Sequence, residues 1–174
     1  ISFRQKRGDN KYTQVWGIPL NGGEARQLTK AKSSVSLYCW HPDGEQIAYV
    51  ATTPTSTQEK ALKEKGYGFI YFEENLKDRN LYITKVDSDE SRQITKDVSV
   101  WDFQFNHAGT SIAAAISPEN LVDHSYMFKK IYLIDVKSGE RTQLTHNDGK
   151  LGNFAFSPND EKIVYNAALE RKDH

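Results

Sequence analysis

The sequence predicts an all-β chain assembled from repeated four-stranded antiparallel sheets, and three observations carry that prediction. A first block, Gly-Glu-Ala-Arg-Gln-Leu-Thr-Lys at 23–30, returns in recognisable form at 89–96 and 139–146. Each copy follows a short apolar strand pattern, at 14–18, 80–83 and 130–134. Each is also followed by a second shared block, 37–44 leading into 47–50, 102–109 into 112–114, and 153–160 into 163–165. Chance similarity does not preserve the order of separate blocks. A four-strand unit returning about every 50 residues is the sequence form of a β-propeller blade.

Taken in order, residues 1–30 supply strands B, C and D of a first blade. Residues 35–96 and 98–146 supply two whole blades, and 151–169 supply A and B of a fourth. In the second blade the strands are A (37–40), B (47–51), C (81–86) and D (91–95). Their alternation of apolar and polar residues suits half-buried strands. His41-Pro42-Asp43-Gly44 and Ser157-Pro158-Asn159-Asp160 close the A–B turns, because Pro presets one dihedral and Asp, Asn or Gly accept the others. The expectation is therefore a section of a β-propeller, two complete four-stranded blades plus two partial ones. Joining the ends would duplicate strand B instead of completing a blade, and the chain begins at Ile1 without an initiator Met, so an internal section of a larger propeller is expected.

Register also exposes an insertion. Gln27 and Gln93 lie 66 residues apart but Gln93 and Gln143 only 50, and the excess falls between strands B and C of the second blade, at 52–77. It holds Pro54, the charged stretch 59–65, and the aromatic run 66–75. Antiparallel strands place this loop on the same side as the D-to-A linkers, opposite the tight A–B and C–D turns. Long loops on one face are where function tends to reside.

Composition narrows the function classes. The chain has 174 residues, 23 Lys+Arg against 23 Asp+Glu, a formal net charge of zero and 11% aromatics. A neutral chain has no long-range field to gather nucleic acid or anionic lipid, so neither is an expected partner. The longest apolar run, 112–116, is far short of the ~20 residues a membrane span needs. One cysteine, Cys39, forms no disulfide within the chain and reads as a buried small hydrophobe; a single unpaired Cys also points to the cytoplasm. The modest hydrophobic content, 37%, suits stacked sheets that share small residues across their faces.

The pairing of Gly22-Gly23-Glu24-Ala25-Arg26-Gln27-Leu28-Thr29 with Trp40-His41-Pro42-Asp43-Gly44 and Ile47-Ala48-Tyr49-Val50 resembles the N-terminal propeller of the prolyl oligopeptidase (S9) serine peptidases. It looks most like the acylaminoacyl-peptidase and dipeptidyl-peptidase branch, whose long B–C loop is similar to the Lys/Glu-rich segment, Gly66-Tyr67-Gly68 and the aromatic run ahead of Leu81-Tyr82. The resemblance implies a substrate-gating domain. It would sit over a C-terminal α/β-hydrolase domain and limit access to short peptides. TolB-type propellers share the strand-pair motif, so a non-enzymatic propeller that binds protein partners is the alternative. No Gly-x-Ser-x-Gly elbow occurs in the 174 residues, so no catalytic residue is assigned.

The remaining candidates are read beside their structural roles. Glu73 and Glu74 follow the aromatic run; paired acids can hold a peptide ammonium group, and the resemblance makes them the substrate-binding candidates, against a solvated loop end. His41 and His107 occupy A–B turns, His124 a B–C loop beside Asp123, and His146 a solvent-facing slot. Asp87, Asp89 and Glu90 cluster in a C–D turn without the glycine spacing of a calcium loop. No metal, cofactor or dinucleotide site is expected. Exposed blade edges would favour self-association.

Overall fold

The computed structural model describes residues 1–69, 73–74 and 76–170. Its strands form four antiparallel sheets. The first has three strands, β1 (Ser2–Gln5), β2 (Gln14–Gly17) and β3 (Arg26–Gln27). The second runs β4 (Val35–Trp40), β5 (Gln46–Thr52), β6 (Arg79–Lys85) and β7 (Ser91–Gln93). The third repeats this order with β8 (Ser99–Phe105), β9 (Ser111–Ser117), β10 (Lys130–Asp135) and β11 (Arg141–Gln143). The last pairs β12 (Leu151–Phe156) with β13 (Ile163–Ala167). This is a section of a β-propeller, with the A strands β4 and β8 in contact along the inner edge.

Three apolar layers hold the sheets together, and the twofold alternation of each strand assigns its residues to them. Ile47, Tyr49 and Ala51 face the first sheet and pack with Val15, Leu28, Ala31 and Val35. Their neighbours Ala48 and Val50, with Leu81, face the third sheet and meet Val100, Phe103, Ala114 and Ile116. Ala113, Ala115 and Ile131 then close on Leu151, Phe154, Phe156 and Ile163 of the fourth. Both faces of β5 and β9 are covered, which is why 47–51 and 112–116 read as continuous apolar runs; each of those residues is at most 2% exposed. Alanines at 48, 113, 114 and 115 let neighbouring sheets approach.

The repeated Gln-x-Thr of the first block fastens strand D to strand C. Thr29, Thr95 and Thr145 are buried, and their hydroxyls accept from the amides of Val15, Leu81 and Ile131 at 3.0, 2.8 and 2.9 Å. The preceding Gln27, Gln93 and Gln143 donate from Nε2 to the carbonyls of those same threonines. The amides of Leu28, Ile94 and Leu144 then donate to the carbonyls of Val15, Leu81 and Ile131, all at 2.8 Å. One motif thus satisfies buried backbone groups where a two- or three-residue edge strand ends.

Several features differ from the sequence expectation. The insertion contains a helix, α1 (Thr57–Glu64), where a charged loop was expected. The corresponding connection of the third sheet carries α2 (Val122–Met127), so His124 is a half-buried helical residue and not a solvated loop histidine. Neither helix buries a side chain, so no apolar stripe marks either in the sequence. Cys39 is half-buried, because β4 lies at the inner edge of its sheet and is covered less fully than β5.

Candidate functional site

Strand polarity puts both helical connections on one face of the section. Ser56 caps α1 and Glu59 reaches back: the Ser56 amide donates to Glu59 Oε2 at 2.6 Å, and the Glu59 amide donates to Ser56 Oγ at 3.1 Å. Lys77, at the far end of the insertion, pairs with the same carboxylate at 3.0 Å. The Ser56 amide first, and Lys77 second, hold the Glu59 carboxyl down at about 2. The insertion is thereby closed on itself, and Asn120 Nδ2 donates to the Lys77 carbonyl at 2.9 Å, tying it to the α2 connection. Leu62, Tyr67, Phe69 and Leu76 from one connection, and Val122 and Tyr126 from the other, remain exposed on this face.

Glu73 and Glu74 are exposed in the same connection, Glu73 with a φ of +55°. They belong to the face just described, and Ile70, Tyr71 and Phe72 beside them, with Asn75, lie outside the described residues. Asp78, at the far end of the insertion, is partly buried. Burial raises the Asp78 carboxyl above its ordinary range, and Asp97 and Glu119 push it the same way.

The opposite face carries His41 and His107. His41 Nε2 lies 2.9 Å from the Gly109 carbonyl, and its ring stands edge-on to Phe105 at 4.9 Å, so this turn residue bridges the second and third sheets. One turn further on, Asp160 bridges the third and fourth. Its carboxylate accepts from the His107 and Ala108 amides at 2.9 Å and lies 2.7 Å from His107 Nδ1. Asp87 and Asp89 are exposed turn residues, as expected, and also form ion pairs with Arg26 and Lys30 of the preceding sheet. His146 is exposed beside Gln143. His41, His107, Asp160, Asp87 and Asp89 are thus junction pieces that join sheets, whereas His146 contacts its own sheet. Among the described residues no group of three His, Cys, Asp or Glu is placed to hold a metal ion.

A cleft of about 430 Å³ separates the first and second sheets, lined by Lys30, Ser33, Tyr49, Tyr82, Asp89 and Gln93. Tyr49 stacks on Tyr82 at 5.4 Å and donates to Ser91 Oγ at 2.8 Å. Burial pushes both phenols above their ordinary range.

Sequence reasoning passed over Arg79. It begins strand C of the second blade, and in repeat register it corresponds to Lys129 in the third, because Leu81 and Ile131 make the same bonds to Thr95 and Thr145. A basic residue in the same slot of two consecutive repeats was the available signal.

Comparison with known proteins adds sequence evidence to this geometry. The chain is 28% identical over 160 residues to YuxL, an uncharacterized peptidase of Bacillus subtilis (strain 168), covering 92% of this chain and 19% of that one. The solved structure of a putative TolB from Agrobacterium tumefaciens superposes with a TM-score of 0.62 at 15% identity, over 96% of this chain and 55% of that one. The tricorn protease does so with a TM-score of 0.59 at 12% identity, over 89% of this chain and 13% of that one. No protein-family model matches. The fold is that of β-propellers, and the sequence is related at low identity to a peptidase. No helix among the described residues is long and apolar enough to cross a membrane.

Proposed function

We propose that these residues form part of the substrate-gating N-terminal propeller of an S9-type serine peptidase of the acylaminoacyl-peptidase kind, which acts on short peptides. The observation that carries the reading is sequence relatedness to a peptidase across 92% of the chain, on a propeller scaffold. The physical role follows from the sheet packing. Three continuous apolar layers make a stiff wall, and a stiff wall can exclude folded polypeptide while leaving room for an extended peptide. On this reading the face bearing α1, α2, Glu73 and Glu74 approaches the substrate. A cleaved bond needs a nucleophile, and a hydrolase domain elsewhere in the protein would supply it. A propeller that binds protein partners without catalysis is the contrary outcome of the test.

The test is activity-based labelling of the complete protein that contains these residues. The reading expects one serine to react with a fluorophosphonate probe, at a Gly-x-Ser-x-Gly elbow, with parallel loss of turnover of acyl-peptide or dipeptide chromogenic substrates. A complete protein with no labelled serine and no inhibitor-sensitive turnover contradicts it.

A further inference from the structure

Arg79 lies where two irregular inner strands meet. The pairing of β4 with β5 shifts register between Val35 and Leu37, leaving Ser36 as the extra residue. The pairing of β8 with β9 shifts between Val100 and Asp102, leaving Trp101. Such bulges bend a strand and re-aim its side chains, and they concentrate next to sites. Arg79 touches both bulges. Its Nη2 donates to Ser36 Oγ at 3.2 Å, its Nε donates to the Val100 carbonyl at 3.1 Å, and its guanidinium carbon stands 4.9 Å from the centre of the Trp101 ring. Trp101 is itself held, its Nε1 donating to Ser117 Oγ at 2.7 Å.

This cation is held in place but not neutralised. The surface cations Arg26, Lys30 and Lys77 pair with Asp87, Asp89 and Glu59, whereas no carboxylate among the described residues forms an ion pair with Arg79. Burial depresses its pKa, so its charge carries a desolvation cost that no anion of the chain offsets. A guanidinium has five N–H donors, and two are engaged. The three left over, two on Nη1 and one on Nη2, form the end of the fork that matches the two oxygens of a carboxylate. Lys129 stands in the equivalent slot of the next blade; burial depresses its pKa, while Asp102 acts in the opposite sense.

We propose that Arg79, with Trp101 as its platform, is an anion-recognition site that takes a carboxylate group of a ligand at the inner edge of the section. The assignment does not depend on the peptidase reading, since it needs no hydrolysis and concerns this chain alone.

The test follows the Arg79 Nε–Hε and Trp101 indole N–H resonances while acetyl-dialanine with a free C-terminal carboxylate is added to the chain. A saturable shift of both signals is expected. The corresponding amide should leave them in place, and Arg79→Lys should weaken the response at least tenfold, because a point charge does not replace the fork. Inorganic phosphate is the second probe, expected to bind more weakly than the peptide acid. No shift with the free acid, equal shifts with acid and amide, an undiminished response in Arg79→Lys, or tighter binding of phosphate would each overturn the assignment. The acid-against-amide comparison uses the unaltered protein, so it stands even where a variant fails to fold.

Discussion

The hydroxyl of Thr95 accepts the amide proton of Leu81 at 2.8 Å, and the same bond joins Thr29 to Val15 and Thr145 to Ile131. In each case the threonine lies 14 residues beyond its partner and is buried, so the bond replaces a strand-to-strand pairing that the short edge strand does not extend to make.

Thr95→Val keeps the shape and removes the acceptor. The Leu81 amide, on a residue 0% exposed, would be left without that partner. An unsatisfied buried donor costs about 1–3 kcal/mol. Chemical denaturation should show a loss of that size, and Thr95→Ser should recover most of it. A Val variant as stable as the parent would show that the hydroxyl contributes nothing.

Gly109→Ala should destabilise the junction of the second and third blades. Gly109 has a φ of +73°, and a Cβ placed there would lie 2.4 Å from His41 Nε2. Left-handed strain and displacement of the ring act together, and strain alone is of order 1–3 kcal/mol. The double variant Gly109→Ala with His41→Ala should relieve the clash but not the strain. An unchanged melting temperature in the single variant would contradict the packing described.

Acid should loosen the insertion later than carboxylates usually titrate. The Glu59 carboxyl is held at about 2 against an ordinary value of 4.5. A depressed folded-state value means that the carboxylate's contribution is complete above 4.5 and is lost as pH falls towards 2. The side-chain carboxyl resonance of Glu59 should therefore titrate near 2, and Ser56→Ala should move it upwards. A midpoint at 4.5 in the parent would show that the capping box is not formed.

The strands and their turns were legible because the sheet geometry is written twice, in period-two alternation and in the repeat. Ile47–Ala51 reads as a continuous apolar run only because sheets cover both faces. The Gln-x-Thr motif was visible as a repeat, but its meaning required knowing which amide lies opposite Thr95. The helix α1 was obscured by its own exposure, although Ser56 and Glu59 stood at capping-box spacing. Glu73 and Glu74 were singled out on chemistry and remain an exposed pair on the expected face. Arg79 escaped notice because its surroundings come from two bulges on different blades, Ser36 and Trp101, a juxtaposition that no single repeat contains.

Substrate length tests the proposed gating role most directly. In the complete protein, the rate of cleavage should be compared between a short acyl-peptide and the same peptide extended by about thirty residues, before and after His41→Ala loosens the junction at Gly109. A strong preference for the short substrate is expected in the parent, with a selective gain for the long one in the variant. Equal rates on both substrates in the parent, or a variant whose length preference is unchanged despite a weakened junction, would contradict it.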